Sequence, residues 1–389
     1  MQIDFHYYAT YCAAYLAGYS HDECMEICYS AQFVDLCTVS FLSRVKGPRS
    51  AATTQLQLET MDTRTDLLGL QYITRIWASF HFLPYDLHAD PKKGGKRYKN
   101  KYRLICNTNG DLLGDTVDLA RNSTLQAVGI AMHVLADTWA HKYFAGIPSL
   151  VINNTDFHFT ELVEKDGKTI ERPVKFIHSP GTPDDIENGV YVNTLHRYNE
   201  NSIMNLGHGR AGHLPDLSFA RYKYVPAWGN YEEILKDNPS DFYHAFAQMV
   251  YAMKYLRGVH ETFETGRYDT EAVGPLKEKI NEILTRRQLD SCADWKALGK
   301  QLSGREIEEF DLDKYVPEYT EAGDEEKEGT FLGKFFLAAL RQKSMVTNRI
   351  YSSGNWLAGI SVDFNEKGFK GIRDFARLIS QSRKEVGNE

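Results

Sequence analysis

The segment AMHVLADTWAHKYFAG, residues 131–146, carries the pattern from which the rest of the chain is best interpreted. His133, Asp137 and His141 recur in it at intervals of four residues. Each step of four turns a helical side chain by ~400°, which leaves an offset of only ~40°. The spacing therefore places the three side chains along one stripe of a single helix.

The residues around this stripe predict a buried helix over residues 124–145. Ser123 opens it, and Gly146 and Pro148 close it. Apolar side chains surround the stripe: Met132, Val134, Leu135 and Trp139. Three polar groups on a buried stripe are costly to desolvate unless a partner satisfies them. Imidazole and carboxylate are usual zinc ligands, so a divalent metal is the favoured partner and a hydrogen-bonded core network is the alternative.

A second cluster lies in GHGRAGHLPD, residues 207–216, which offers His208, His213 and Asp216 within one short loop. The loop also contains a formal G-x-G-x-x-G. No hydrophobic strand precedes it, so we expect no dinucleotide site there. Its glycines instead allow the backbone to fold tightly around ligands.

Three further motifs supply candidate ligands closer to the N-terminus. DFH gives Asp4 and His6, YSAQFVD ends at Asp35, and FHFLP places His81 at the end of an apolar helix. Taken singly, each residue is more typical of a capped or hydrogen-bonded position. Taken together with the central helix, they form the ligand inventory of a multinuclear metal site.

The rest of the chain is predicted to be mainly α, with long loops, a small β-hairpin insertion and extra C-terminal helices. The hairpin is ELVEKDGKTIERPVKFI, which turns at Asp166-Gly167. Residues 91–103 form a basic loop, and residues 317–329 an acidic, mobile stretch. Apolar periodicity predicts the other helices over residues 7–18, 22–37, 65–82, 240–265, 275–303, 330–345 and 366–386.

Length and composition limit the class of protein. At about 150 residues per domain, 389 residues predict two domains: a metal-dependent catalytic domain over 1–265 and a helical region of unknown role over 266–389. The chain is 42% hydrophobic and 25% charged, which excludes a disordered or collagen-like chain. Its net charge of −7 gives no basis for dedicated nucleic-acid binding.

The same sequence suggests where the protein acts. The chain contains no stretch of ~18 apolar residues, so we expect no transmembrane helix. The N-terminus lacks the features of a signal peptide, and six cysteines without a C-x-x-C pair are expected to be buried free thiols. We therefore expect a cytoplasmic protein, or one exported without an N-terminal signal.

Together, the motifs resemble the zinc-dependent phospholipase C superfamily, which also includes zinc nucleases that cut single strands. Its members carry a helix with H-x-x-x-D and a further His, matched here by His133 and Asp137. More closely, DFHYY, SAQFVD, FHFLP, HVLADTWAHKYFAG and GHGRAGHLPD resemble a bacterial branch of phosphatidylcholine-hydrolysing phospholipases C. The resemblance covers about residues 1–260.

This resemblance implies a helical bundle that binds two or three zinc ions. Asp35 and His81 match an earlier Asp and His of the family, and His208 or His213 matches a later His. In the familiar enzymes the N-terminal amine binds zinc, and here Asp4 or His6 is expected to stand in for it. The implied ligands are Asp4, His6, Asp35, His81, His133, Asp137, His141, His208, His213 and Asp216.

The expected activity is hydrolysis of a phosphodiester by metal-activated hydroxide, with release of a phosphocholine-type head group. Asp137 is the candidate bridging ligand, and Asp35 is a candidate ligand or general base. A phospholipid is the expected substrate. Peripheral contact with a membrane could involve the basic loop, although a solvated loop is the commoner explanation of such a run.

Two alternatives stay open, namely a nuclease or nucleotidase with the same metal site and a non-catalytic protein with a structural metal. Other hydrolase classes are disfavoured. H-E-x-x-H and G-x-S-x-G are absent, and the one adjacent His-Asp pair, His21-Asp22, falls in a predicted exposed turn.

Overall fold

The computed structural model describes residues 1–55, 67–88, 104–146, 157–177, 181–193, 208–226, 232–355 and 358. It is about 53% helical with 12% strand, so the prediction of a mainly α protein is confirmed. The predicted basic loop at 91–103 and the predicted helix at 366–386 lie outside the described residues. Among the described helices, none is long and apolar enough to cross a membrane.

A π-helical turn (Asp4–Ala9) precedes the first of the described α-helices. In chain order they are α1 (Thr10–Leu16), α2 (His21–Phe33), α3 (Val39–Arg44), α4 (Leu67–Phe80), α5 (Asp111–Ala120), α6 (Leu125–Ala140), α7 (His208–Ala211), α8 (Asn238–Leu256), α9 (Thr270–Val273), α10 (Lys277–Thr285), α11 (Cys292–Ser303), α12 (Val316–Glu321) and α13 (Phe331–Ser352).

Helix α6 is the central helix of the fold. The Thr124 side chain caps its N-terminus by accepting a hydrogen bond from the Ala127 N–H. Nearly all of its residues are buried, because α2, α5, α8 and α13 pack around it. The predicted helix is therefore confirmed, but it ends at Ala140 rather than at residue 145. His141 is its C-cap, and Tyr143 adopts a positive φ of 78° that turns the chain away.

The predicted hairpin is confirmed and belongs to a larger sheet. Strands β1 (Phe157–Lys165) and β2 (Lys168–Pro173) pair antiparallel through a turn at Asp166 and Gly167, which have φ values of 52° and 72°. Two unpredicted strands, β5 (Arg221–Val225) and β6 (Ile234–Asp237), extend the sheet to the order β2-β1-β5-β6.

A two-stranded parallel sheet lies beside it, formed by β3 (Lys175–Ile177) and β4 (Val190–Val192). Aromatic side chains of the larger sheet form a second, smaller core. Phe144, which follows α6, stacks at 5.6 Å on Tyr224 of β5. The sheet therefore packs against the C-terminal end of α6, where the candidate ligands lie.

The helices after residue 265 pack into the same main core as those before it. Trp295 of α11 is fully buried against Phe5 and Phe246, and α13 packs along α4 and α6. The predicted division at residue 265 stays a prediction, but the described residues on its two sides share one buried cluster.

Other predictions are corrected locally. The acidic stretch at 317–329 is not an unstructured segment, because most of α12 and a 3-10 turn (Lys327–Gly329) lie within it. Helices α3 and α5 were not predicted. All six cysteines are free thiols, and five of them are buried, as expected.

Candidate metal centre

Three histidines have their ring orientation fixed by backbone carbonyl groups. His133 Nδ1 lies 2.9 Å from the Ala31 oxygen, His81 Nε2 lies 3.0 Å from the Thr53 oxygen, and His141 Nδ1 lies 2.7 Å from the His81 oxygen. A carbonyl oxygen only accepts hydrogen bonds, so each of these ring nitrogens carries a proton. In each neutral ring the opposite nitrogen then presents a lone pair.

Two of these lone pairs meet two carboxylates, and we call the four side chains the first centre. His81 Nδ1 and His133 Nε2 lie 3.3 Å apart, and Asp137 Oδ2 lies 3.2 Å from each. Asp35 Oδ1 lies 3.8 Å from the first nitrogen and 3.9 Å from the second. Although burial opposes it, the hydrogen bond to Asp137 and the charge of Asp35 raise the pKa of His81, so the two carboxylates favour a positive charge at this point, either a proton or a bound cation.

The second centre consists of His141, His208 and Asp216. His141 Nε2 lies 3.2 Å from Asp216 Oδ1, and His208 Nε2 lies 3.3 Å from Asp216 Oδ2. Phe82 stacks on the His141 ring at 4.8 Å, and Phe144 contacts His208 edge-on at 5.5 Å. Aromatic packing from the sheet side therefore holds both imidazoles against one carboxylate.

A third group surrounds the other oxygen of Asp137. His6 Nε2 lies 3.1 Å from Asp137 Oδ1, and the α-amine of Met1 lies 2.9 Å from the same atom and 3.1 Å from Asp216. Both ring nitrogens of His6 are fully buried, and neither makes a hydrogen bond to a described residue. Burial also lowers the pKa of His6 well below its usual range, so the ring is neutral and has a lone pair to offer.

The carboxylates differ in ionisation. Burial disfavours charge on Asp137, but nearby imidazoles and the Met1 ammonium outweigh it and hold its pKa well below the usual range. The pKa of Asp216 is held low in the same way against burial, by the Met1 ammonium and His208. Burial raises the pKa of Asp35. The pKa shifts therefore favour the ionised form of Asp137 and Asp216, and of the three carboxylates Asp35 is the most ready to take up a proton.

The residues fit bound divalent cations. Three carboxylates share this interior with one ammonium group, and the His6 nitrogens, which make no hydrogen bond to a described residue, are of the kind that a metal ion satisfies. Three sets present one ligand atom per residue within 4.8 Å of one another: His6, His133 and Asp137; Asp35, His81 and His133; and His141, His208 and Asp216.

The centre opens to solvent at Asp35. Its side chain is 30% exposed, compared with 1% for Asp137 and 14% for Asp216. A substrate that reaches the site from solvent would therefore meet Asp35 before the other two carboxylates.

Two predicted ligands are not brought into these groups. Both oxygens of Asp4 are occupied by backbone N–H groups, that of Phe5 at 2.8 Å and that of Ser291 at 3.0 Å. The Met1 amine, rather than Asp4, lies beside Asp137. His213 turns to a carboxylate that the sequence did not indicate, because its Nδ1 donates to Asp184 at 2.8 Å and its side chain is 52% exposed.

The choice that spacing left open between two histidines thus falls on His208. It begins the one-turn helix α7 in a segment expected to be entirely loop. The Met1 amine was missed, since no side-chain pattern encodes it. Asp184 was missed because it lies far from His213 in the sequence.

Comparison with known proteins places the chain in a family without naming its activity. No curated protein and no solved structure matches it. Residues 1–350 match a family described as a family of unknown function (DUF6765). The match crosses residue 265 without a break and takes in every candidate ligand, and the chain therefore belongs to this family.

Proposed function

We propose that this protein is a zinc-dependent phosphodiester hydrolase of the phospholipase C type, releasing a phosphorylated head group from a glycerophospholipid. One observation carries the proposal: at the first centre, the ring nitrogens of His81 and His133 that do not face a carbonyl group converge on the oxygens of Asp35 and Asp137. A core network held only by hydrogen bonds would instead pair each acceptor with a donor.

The separations support zinc in particular. Ligands at 2.0–2.1 Å around a tetrahedral zinc ion are about 3.3 Å from one another. The contacts of the first centre that involve Asp137 are 3.2 Å, and its two imidazole nitrogens are 3.3 Å apart. The carbonyl partners of the three histidines supply the outer hydrogen bonds that orient zinc-bound imidazoles in proteins.

The order of ligands along the chain supports the phospholipase C-like bundle as the finer fold. In the resembled superfamily, a ligand near the N-terminus, an Asp, a His, the H-x-x-x-D helix with a further His, and a later His with a carboxylate follow one another in this order. In this chain the corresponding residues are His6, Asp35, His81, His133, Asp137, His141, His208 and Asp216, and they lie together. Asp137 uses both oxygens on different neighbours, which suits a bridging ligand.

Zinc bound here would polarise the phosphoryl oxygens and lower the pKa of an attacking water. The protein's own residues then have separate tasks. Asp35, partly exposed and with a raised pKa, is placed to accept the proton of the attacking water at a carboxylate oxygen. Asp137 and Asp216 stay ionised and would hold the zinc ions by their negative charge. The imidazoles that donate hydrogen bonds to backbone carbonyl groups keep their tautomers.

A closed structural metal site is disfavoured by the exposure of Asp35, because structural zinc sites are sealed by their four ligands. A nuclease or nucleotidase would use the same residues, so only an assay of both substrates, and not the geometry, distinguishes it from a phospholipase.

The test combines metal analysis with two substrates. Purified protein is assayed for head-group release from short-chain phosphatidylcholine and for cleavage of single-stranded DNA, with and without a chelator. His133→Ala tests the site, and His88→Ala is the matched control, since the His88 side chain is 64% exposed and belongs to none of the three groups.

We expect at least two zinc ions per chain and head-group release that both the chelator and His133→Ala abolish. His88→Ala should retain both. Cleavage of DNA in place of the lipid would assign the site to the nuclease alternative. Less than one zinc per chain, with activity unchanged in His133→Ala, would rule the proposal out.

A further inference from the structure

Helix α13 brings a buried lysine to the segment behind the first centre. Lys343 is only 7% exposed, and its Nζ donates hydrogen bonds to the Ser50 oxygen at 2.7 Å and the Ala52 oxygen at 2.5 Å. No carboxylate of the described residues forms an ion pair with it. Burying an amine without a counter-ion is costly, and here two carbonyl hydrogen bonds offset part of that cost.

The two carbonyl groups belong to the segment that orients His81. The Ala52–Thr53 peptide is held from both sides, because Lys343 binds its oxygen and its N–H donates to the Cys37 oxygen at 3.0 Å. The next carbonyl, that of Thr53, accepts the hydrogen bond from His81 Nε2. Lys343 is thus one peptide unit away from the group that sets the His81 tautomer.

Thr53 also ties this segment to the other carboxylate ligand of the first centre. Its hydroxyl donates to the Val34 oxygen at 2.6 Å, and Val34 directly precedes Asp35. A single residue therefore connects the backbone beside Asp35 with the ring of His81. Among the described residues, the ion pairs of His208 and Asp216 do not involve Thr53.

We propose that Lys343 is a positioning residue for the first centre, fixing the 50–53 segment so that Thr53 holds His81 and the Asp35 backbone in register for a metal ion. The inference rests on the proposed function. It also gives the region after residue 265 a task at the site: one helix of that region supplies the amine that stabilises the outer hydrogen bonds of the first centre.

The test compares the two centres within one protein. His208→Ala removes a ligand of the second centre, so that zinc binding reports the first centre and the His6, His133 and Asp137 group. Asp35→Ala removes a ligand of the first centre alone. Lys343→Met removes both donors at nearly constant volume, and Lys343→Gln retains an amide that can donate. Lys334→Met, an exposed lysine on the same helix, is the matched control. Zinc affinity is measured by competition with a chromophoric chelator.

Loss of an outer hydrogen-bonding partner typically costs 10–100-fold in metal affinity. We therefore expect Lys343→Met to weaken zinc binding by roughly that factor in the His208→Ala background, and by less than about threefold in the Asp35→Ala background. Lys343→Gln should lie between wild type and Lys343→Met, and Lys334→Met should match wild type.

Equal affinities of Lys343→Met and wild type in the His208→Ala background would overturn the inference, and so would equal losses in both backgrounds. If Lys343→Met does not fold, Lys343→Gln carries the same comparison, and unchanged affinity there overturns the inference equally. A wild-type protein that binds no zinc refutes the proposed function. A protein whose zinc affinity is unchanged by substitution of Lys343 refutes only the role of Lys343.

Discussion

Gly129 lies where helices α6 and α2 approach most closely, and its replacement by alanine should disturb the first centre without touching a ligand. A Cβ at this position would lie 2.4 Å from the Ile27 oxygen and 2.5 Å from the Ser30 Cβ. Ordinary contacts of a Cβ begin near 3.4 Å. The two helices would therefore have to separate by roughly 1 Å, since a packed interior has no free space to absorb the clash.

The separation has a direct effect on a ligand because Ala31 lies in the same turn of α2. Its oxygen accepts the hydrogen bond from His133 Nδ1 at 2.9 Å, and a shift of roughly 1 Å would take the two atoms beyond hydrogen-bonding distance. Overpacking costs about 1–3 kcal/mol and the lost hydrogen bond about 1 kcal/mol, while the better helix propensity of alanine returns about 1 kcal/mol. We expect a net loss of about 1–3 kcal/mol in the free energy of unfolding.

Urea denaturation of the chelator-treated protein measures that loss, and zinc analysis of the untreated protein measures the effect on the site. Gly114→Ala on α5 is the matched control, because a Cβ there meets nothing within 4 Å. The control should be stabilised by up to about 1 kcal/mol and keep its zinc. If Gly129→Ala instead unfolds at the same urea concentration as wild type and retains full zinc content, the coupling of helix spacing to His133 is wrong.

Three more perturbations test separate parts of the molecule. Burial lowers the pKa of Lys343 from 10.5 to about 7, so the folded protein binds fewer protons than the unfolded one in this window. The free energy of unfolding of the wild type, relative to that of Lys343→Met, should thus rise from pH 7 upward, by at most about 1.4 kcal/mol per pH unit. If urea titrations show that this difference falls as the pH rises, the lowered pKa of Lys343 is contradicted. The Met1 amine is fully buried beside Asp137 and Asp216, so an uncleaved extension before Met1 has no room there unless these carboxylates move. We therefore expect calorimetry to show at least one zinc ion bound more weakly than in the untagged chain, with equal binding as the refuting result. Gly212→Ala places a Cβ 2.3 Å from the Val192 oxygen at a φ of 57°, and it should lower zinc binding at the second centre, as zinc titration in the Asp35→Ala background would reveal.

The central helix was predictable because its pattern is local. A repeat of four residues fixes a stripe on any helix, so His133 and Asp137 could be placed together from spacing alone. The hairpin was predictable for the same reason, since Asp166-Gly167 specifies its own turn. Strand β5 has no such signal, because its pairing with β1 joins residues far apart in the chain, and β6 joins the sheet only through β5.

The choice among nearby candidate ligands was not predictable, because it depends on partners elsewhere. His208 and His213 both lie close to Asp216 in the sequence, but Asp184 takes the second of them. Asp4 is likewise drawn away, by the Ser291 N–H at the start of α11. Sequence spacing states which residues can reach a site, whereas these competing contacts decide which of them do.

The backbone groups that orient the ligands are even harder to predict from a sequence. The oxygens that fix His133 and His81 belong to the backbones of Ala31 and Thr53, and every residue type carries such an oxygen. Their positions depend on helix spacing at Gly129 and on the Lys343 hydrogen bonds, and neither position holds a metal-ligand residue type. A chain could therefore keep every ligand of the motif and still lose its metal through a change at a glycine or at a C-terminal lysine. For this reason Gly129→Ala and Lys343→Met, which leave all the candidate ligands in place, test the structural account more severely than substitution of a ligand does.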